Sequence, residues 1–369
     1  MPKAPSTISR IFAKISSWSR VEKLAETLWS YIFSWIPFDK IGSDWLDLDS
    51  SVITRYGKQQ GALRGYNPQK KGRPSHHPLL AFMSESRFVV NLWNRSGNCK
   101  SANNVVSFFE ETYGRLKDKI IFKGVRADSG FYVERFLETL ESSELRYIIP
   151  AVFYRNLQNV VWELTDWSFV DHGYEVASFD FKLDNWSKKR RYIAVRREIK
   201  KLDTSKAVGK QLSLLDLEER YTYSCFVTND NTAAPEQVWR DYRPRASDEN
   251  IIKEYKEDFA FVGFCQNNFY ATEAGMLIRA LTLNLMSLFK REILGQQKAP
   301  VERLKTIRFK YFITPASLGS GQRYAILRLS VTSQKLRSKM ISLLNRVSSY
   351  LPVFGFNCNA VGPPKQQTG

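Results

Sequence analysis

The chain has 369 residues, 43% of them hydrophobic and 14% aromatic, which is enough for two or three domains with a buried core and excludes a disordered chain. Lysine and arginine exceed aspartate and glutamate by 18 (55 against 37), an excess that favours polyanions, either nucleic acid or an anionic membrane surface. Cys99, Cys225, Cys265 and Cys358 form no C-x-x-C pair and stand beside only three histidines, so they argue against a zinc site and for free thiols in a reducing cytoplasm.

The first forty residues read as helical, with apolar positions recurring at three and four in "VEKLAETLWSYIFSWI". The apolar stretch Leu28 to Phe38 is too short to span a bilayer and is closed by Pro37, and no secretory signal is read. The positive charge is spread along the chain, where a membrane-surface role would gather it on one amphipathic helix, so no membrane partner is expected.

"SDWLDLDSSVITRYG" (Ser43 to Gly57) alternates like a strand, and "GALRGYNPQKKGRPSHHP" reads as a basic loop or hairpin turn. More strand-like sequence follows in "LLAFMSESRFVVNLWNRSG". Next come a helix in "SANNVVSFFEETYGRL", a buried strand in "KIIFKGVRADSGF", a helix in "YVERFLETLESS" and a strand in "LRYIIPAVFY". This alternation predicts an α/β core with some parallel pairing.

From Arg155 to Thr232 the texture becomes period-two, aromatic and β-branched, including "VVWELTDWSFV", and predicts an all-β insertion with a polar loop around Asp203 to Gln211. Helical sequence resumes at Pro235 and runs through "DYRPRASDENIIKEYKEDF" to "ATEAGMLIRALTLNLMSLFKREIL". Beyond Pro300, "TIRFKYFIT" and "RYAILRLSV" look like strands and "QKLRSKMISLLNRVSSYL" like a closing helix.

Phosphodiester chemistry needs hard oxygen ligands for Mg²⁺, and two such ions about 4 Å apart activate the attacking oxygen and stabilise the leaving one. Asp49 on the first core strand, Asp128 just past a later strand and Glu249 on the helix after the insertion offer three carboxylates for that task. Each also has a plain structural reading. Asp49 fits the end of a strand or turn, with Asp44 and Asp47 as rivals, and Asp128 or Ser129 fits a helix N-cap. Glu249 fits an i, i+4 pair with Lys253. On a continuous helix at about 100° per residue, Tyr242, Arg245, Glu249 and Lys256 fall within roughly 60° of one another. Pro244 suits a first helical turn, which would leave Tyr242 just outside the helix.

The tetrad Tyr242, Arg245, Glu249 and Lys256 resembles the Tyr-Arg-Glu-Lys motif of DDE transposases of bacterial insertion sequences, in the group-four superfamily. "LDLDSSVITRYGKQQGALRGYNPQKKGRPSHHPLLAF", "LWNRSGNCKSANN", "VRADSGFY" and "YRPRASDENIIKEYK" are most similar to its thirteen-eighty branch and appear in that family's order. The resemblance implies a ribonuclease-H-like core with the β insertion before the glutamate helix, and metal-binding catalytic roles for Asp49, Asp128 and Glu249. It implies Mg²⁺ as cofactor, with Mn²⁺ substituting, and cut-and-paste cleavage and strand transfer of an insertion sequence, with a hairpin intermediate among relatives. The expected partner is double-stranded DNA, both transposon ends and target, bound by a homodimer in a nucleoid-associated bacterial cytoplasm.

Tyr242, Arg245 and Lys256 would hold phosphates of the transposon end, Arg by a bidentate fork and Lys as a point charge. Arg64 and Arg73, and Lys188, Arg190 and Arg191 of "SKKRRYIAVRREIKK", are further candidate DNA contacts, against the plain reading of solvated hairpins. Trp162, Trp167 and Trp186 suit either an extruded base or a β core, and the adjacent His76 and His77 point to opposite faces and make a poor ligand pair. The expected organisation is a remnant of a helical DNA-binding region at 1–42, the core at 43–154 and 233–299, the β insertion at 155–232 and a strand-helix region at 300–369 suited to dimerisation. The family's N-terminal end-recognition region is expected to be mostly missing here, and Gln60 stands where the pattern has Glu. Two rival readings follow: a non-catalytic DNA-binding or dimerising inhibitor of transposition, and a ribonuclease-H-fold nuclease without strand transfer.

Overall fold

The computed structural model describes residues 6–68, 70–198, 221–245, 251, 253–255, 257–258, 266–296, 302–320, 325–330 and 333–350. Its centre is a nine-stranded mixed sheet in the order β6-β5-β1-β7-β8-β12-β11-β10-β9. Strand β1 (Ser43–Ser50) runs antiparallel to β5 (Leu79–Met83), which turns back into β6 (Phe88–Trp93). On its other side β1 pairs in parallel with β7 (Ile121–Arg126), and β7 pairs in parallel with β8 (Tyr147–Pro150). Two parallel neighbours need crossovers. Helices α4 (Val105–Leu116) and α5 (Glu134–Ser142) supply them, burying Phe108, Phe109, Phe136 and Leu137. This succession, an antiparallel trio followed by two parallel strands, makes the mixed α/β fold a ribonuclease-H-like core.

β1 is central, and its middle residues are buried whatever their parity, as expected of a strand covered on both faces. The β-rich segment does not stand apart from this sheet. β12 (Tyr221–Thr228) pairs antiparallel with β8, and β11 (Arg190–Glu198), β10 (Tyr174–Phe181) and β9 (Ser168–Asp171) continue outward. Trp45, Ile148, Ile193, Phe226, Val238 and Trp239 form one apolar cluster that joins the added strands to the core and to α7 (Pro235–Tyr242). The Asp203–Gln211 loop expected from the sequence lies outside the described residues.

At the opposite edge, β6 is covered by α8 (Phe269–Leu288). Asn284 on α8 accepts a bond from Val89 N–H at 2.8 Å and donates to Val89 C=O at 2.7 Å, so one side chain closes a residue of the edge. Ser287 donates to the Arg87 carbonyl, and Glu273 accepts from Asn94 N–H. α8 also packs on α2 (Trp18–Phe33), which buries Trp29, Ile32 and Phe33. Among the described residues no helix is long and apolar enough to cross a membrane.

Two strand expectations are corrected. Val160 to Glu163 close α6 (Arg155–Glu163) because Leu157 and Val161, four apart, both face the core. "TIRFKYFIT" is also helical: Leu304–Ile307, followed by a wider π turn at Arg308–Phe312. Ile307 is buried there while Phe309 and Phe312 are exposed, so the apolar spacing that resembled alternation does not mark a sheet face. The basic loop or hairpin turn expected between β1 and β5 is a hairpin of Leu63–Arg64 with Pro74–His76, which Ile53–Thr54 extends to a small sheet in the order β2 (53–54), β4 (74–76), β3 (63–64).

Candidate active site

The three acids on β1 separate by environment. Asp44 is caged by the backbone N–H groups of Trp45, Glu85 and Ser86, and burial raises its pKa above the ordinary carboxylate range. Asp47 forms a fully buried two-pronged pair with Arg126, at 2.7 and 2.6 Å. Both are committed to the core. That leaves Asp49, on the same strand parity as Asp47 and two residues nearer the carboxyl end.

The parallel register sets Asp47 against Arg126. Two residues beyond that pair, Asp49 and Asp128 leave neighbouring strands at the same end of the sheet, the end where open α/β sheets carry their ligands. The Asp128 side chain accepts from Gly130 N–H at 2.8 Å and caps the 3₁₀ turn Ser129–Phe131. Capping fixes where that carboxylate points, so the cap and a catalytic role are compatible. Burial raises the Asp128 pKa, against the opposing influence of Arg245, the Gly130 N–H and His77.

Arg245, 196 residues along the chain from Asp49, donates to Asp49 Oδ1 and to the Leu48 carbonyl at 3.1 Å each. Burial alone would lower its pKa, but Tyr242, Asp49, Asp47 and Asp128 together hold it above the ordinary value. Its delivery is built from the end of α7. Arg126 donates to the Asp241 carbonyl, Arg146 pairs with the Asp241 carboxylate at 2.6 Å, and Tyr242 donates to the Ala127 carbonyl at 3.2 Å. The Tyr242 ring lies 4.6 Å from that of Phe226, and burial pushes its phenol pKa up to about 12. Past Tyr242 the chain tightens into the 3₁₀ turn Arg243–Arg245, so the opening residues of the tetrad do not share one regular α-helix. Glu249 and Lys256 lie outside the described residues.

A second brace had no signal in the local pattern. The Arg95 side chain is buried and donates to the carbonyls of His77, Lys100, Ser101 and Asn103 and to the Ser50 hydroxyl, and burial lowers its pKa to about 10. It gathers the 95–103 loop against the strand that carries Asp49. A Cβ at Gly130 would come within 2.7 Å of the Ser101 hydroxyl, so that loop also abuts the Asp128 turn. Arg95, Arg126, Arg146 and Asp241 are the site-building residues that sequence reasoning missed.

The remaining candidates divide. Arg64 and Arg73 are exposed. Lys188 is 54% exposed and pairs with Glu141 at 2.8 Å. The Arg190 side chain is 2% exposed, pairing with Glu141 at 2.8 Å and Glu134 at 3.3 Å, and Arg191 donates to the carbonyls of Asp230 and Ala233. Arg190 is thus an internal brace, which a charge run could not reveal, while Arg191 is half-buried on those carbonyls. Trp162 is exposed, whereas Trp167 and Trp186 pack on the core. His76 and His77 serve different partners: His76 meets Arg55 and Gln60, and His77 meets the Cys99 carbonyl. Gln60 ties its loop to the start of α8, with its N–H on the Asn267 carbonyl and its Oε1 accepting from Phe269 N–H.

A divalent cation fits the kind of donor this site offers. The two carboxylates are hard oxygen ligands. Asp128 is disfavoured as an anion even with Arg245 close by, so added positive charge would relieve it. Among the described residues no three acidic, histidine or cysteine side chains converge as a metal cluster.

Residues 4–349 match the family described as Transposase DDE domain group 1. No protein of curated function matches the sequence. Among solved structures, the cryo-EM structure of the piggyBac transposase synaptic complex with hairpin DNA is similar at a TM-score of 0.44 and 12% identity. The similarity covers 81% of this chain and 57% of that one, so the chain spans little more than half of that protein's length.

Proposed function

Given that the chain belongs to the family of DDE transposase domains, group 1, we propose that it is a DNA transposase that cleaves the ends of an insertion sequence and joins them to target DNA. The observation that carries this reading is Asp49 and Asp128 leaving adjacent strand ends, with Arg245 on the first of them. Glu249, four residues beyond Arg245, is the third carboxylate of the proposal. The motif spacing supports the bacterial insertion-sequence branch.

Asp49, Asp128 and Glu249 would hold Mg²⁺, with Mn²⁺ as a substitute. Such ions supply activation of the attacking oxygen and stabilisation of the leaving one. The protein's own residues do the positioning. Asp128 is aimed by its cap, and Asp49 is steadied by Arg245. Arg245 is in turn steadied by the docking of the α7 end on Arg126, Arg146 and Ala127. Arg64, Arg73, Lys188 and Lys256 are assigned to the DNA backbone, and Tyr242 is better read as a brace for the strand carrying Asp128. Two ends are cut by a homodimer in this proposal.

The test uses two reactions. Glu249→Gln should abolish both cleavage of an end-containing duplex and joining of a pre-cut 3′-hydroxyl end to target, leaving simple DNA affinity within about twofold. A wild-type chain that cleaves but never joins is a ribonuclease-H-fold nuclease. One that binds DNA and does neither is the inhibitor.

A further inference from the structure

Residues 53–77, the β2-β4-β3 excursion, contain Arg55, Lys58, Arg64, Lys70, Lys71 and Arg73, and no aspartate or glutamate. Arg55 is buried on His76, and the other five cations are exposed. None of the five forms a salt bridge with a described carboxylate. On the same excursion Tyr56 is 71% and Tyr66 72% exposed, each an aromatic ring left in water, and the Arg73 guanidinium lies 5.8 Å from the Tyr56 ring centre.

The excursion is braced. Asn67 is buried, donating to the Thr54 hydroxyl at 3.0 Å and accepting from Lys70 N–H at 3.0 Å, so the turn after Tyr66 is pinned to β2. Gly65 and Gly97 meet so closely that a Cβ at Gly65 would stand 2.0 Å from the Gly97 carbonyl, which locks the Tyr66 arm onto the 95–103 loop. Its roots flank the candidate carboxylates: it begins just after the strand of Asp49 and returns at His77, whose ring meets the Cys99 carbonyl in the loop that abuts the Asp128 turn.

Resting on the transposase reading of that site, we propose that this excursion grips the DNA strand leaving the carboxylates and stacks Tyr56 and Tyr66 on unpaired bases of that strand. The charge recognises any nucleic-acid backbone, but the rings narrow the ligand. Bases in an intact duplex hide their faces against one another, whereas an unpaired base offers a bare face to an exposed ring. A cut or melted DNA end supplies such bases at the place the excursion overlooks.

The test measures fluorescence anisotropy of the full chain with a short oligothymidylate and with a blunt duplex, each over a range of salt. Tyr56→Ala with Tyr66→Ala should weaken oligothymidylate binding about tenfold or more and leave the duplex within about twofold. Tyr56→Phe with Tyr66→Phe should restore binding, since stacking needs the ring and not the hydroxyl. Arg64→Ala with Arg73→Ala should weaken both ligands and flatten the salt dependence. Equal loss on both ligands in the Tyr→Ala protein, no loss on either, or a wild type that binds duplex but not oligothymidylate would overturn the stacking proposal and leave the transposase reading standing. A wild type that binds neither DNA overturns both.

Discussion

One nitrogen of the Arg245 guanidinium lies 3.1 Å from Asp49 Oδ1 and 3.1 Å from the carbonyl of Leu48, so a cation already rests on the end of β1. The neighbouring pair, Asp47 with Arg126, is also a carboxylate and a guanidinium, but it is sealed in the core. The two pairs sit two residues apart on one strand and answer to different demands.

Substitution should separate them. Asp47→Asn leaves Arg126 buried without its partner and should cost about 3–5 kcal/mol of folding stability. Asp49→Asn removes one anion from a crowded acidic end and should change stability far less while abolishing cleavage. Urea denaturation of the two variants, with a cleavage assay on each, checks both halves.

The edge of β6 depends on Asn284. Replacing it with Leu strands both the N–H and the C=O of Val89, and each unpaired buried group costs about 1–3 kcal/mol. The variant should unfold at lower urea and aggregate sooner on heating, because a loosened α8 more readily exposes the β6 edge to pairing with another chain.

Glu273 sets a pH dependence. Burial first, and the Glu111 charge after it, raise its pKa from 4.5 to about 7, against the pull of the Asn94 N–H. The unfolded chain releases this proton near the ordinary carboxylate value, while the native state keeps it until about 7. Stability linked to this group is therefore full at low pH and is lost as pH rises through that window, by up to about 3 kcal/mol. Glu273→Gln should be more stable than wild type at pH 8, with the difference vanishing towards pH 4.5. A constant difference across that range would contradict the assignment.

Tyr242 tests positioning against phosphate contact. With its hydroxyl on the Ala127 carbonyl, Tyr242→Phe should lower kcat by about ten- to a hundredfold and leave DNA affinity and its salt dependence unchanged. A phosphate contact would instead weaken DNA binding and flatten the salt slope.

What the sequence disclosed follows from how local each signal is. Apolar runs bounded by turns located the antiparallel trio and both crossover helices, because those elements bury faces that neighbouring residues write. Val160 to Glu163 misled because a β-branched pair beside a tryptophan suits a strand equally well; only the shared burial of Leu157 and Val161 decides for a helix. Lys188, Arg190 and Arg191 look alike in a charge run, yet Arg190 is internal because Glu134 and Glu141 on α5 reach it from about fifty residues away. The same limit hid the α7 clamp: Arg126 meets the Asp241 backbone across 115 positions, a relation no spacing rule contains.

The most direct test of the central claim is anomalous scattering from crystals of the full chain soaked in Mn²⁺. Mn²⁺ density should be held by Asp49 and Asp128, with Glu249 completing the shell and Arg245 drawn away from Asp49 Oδ1. Ions bound only elsewhere, with Arg245 still on Asp49 and the three carboxylates apart, would contradict it.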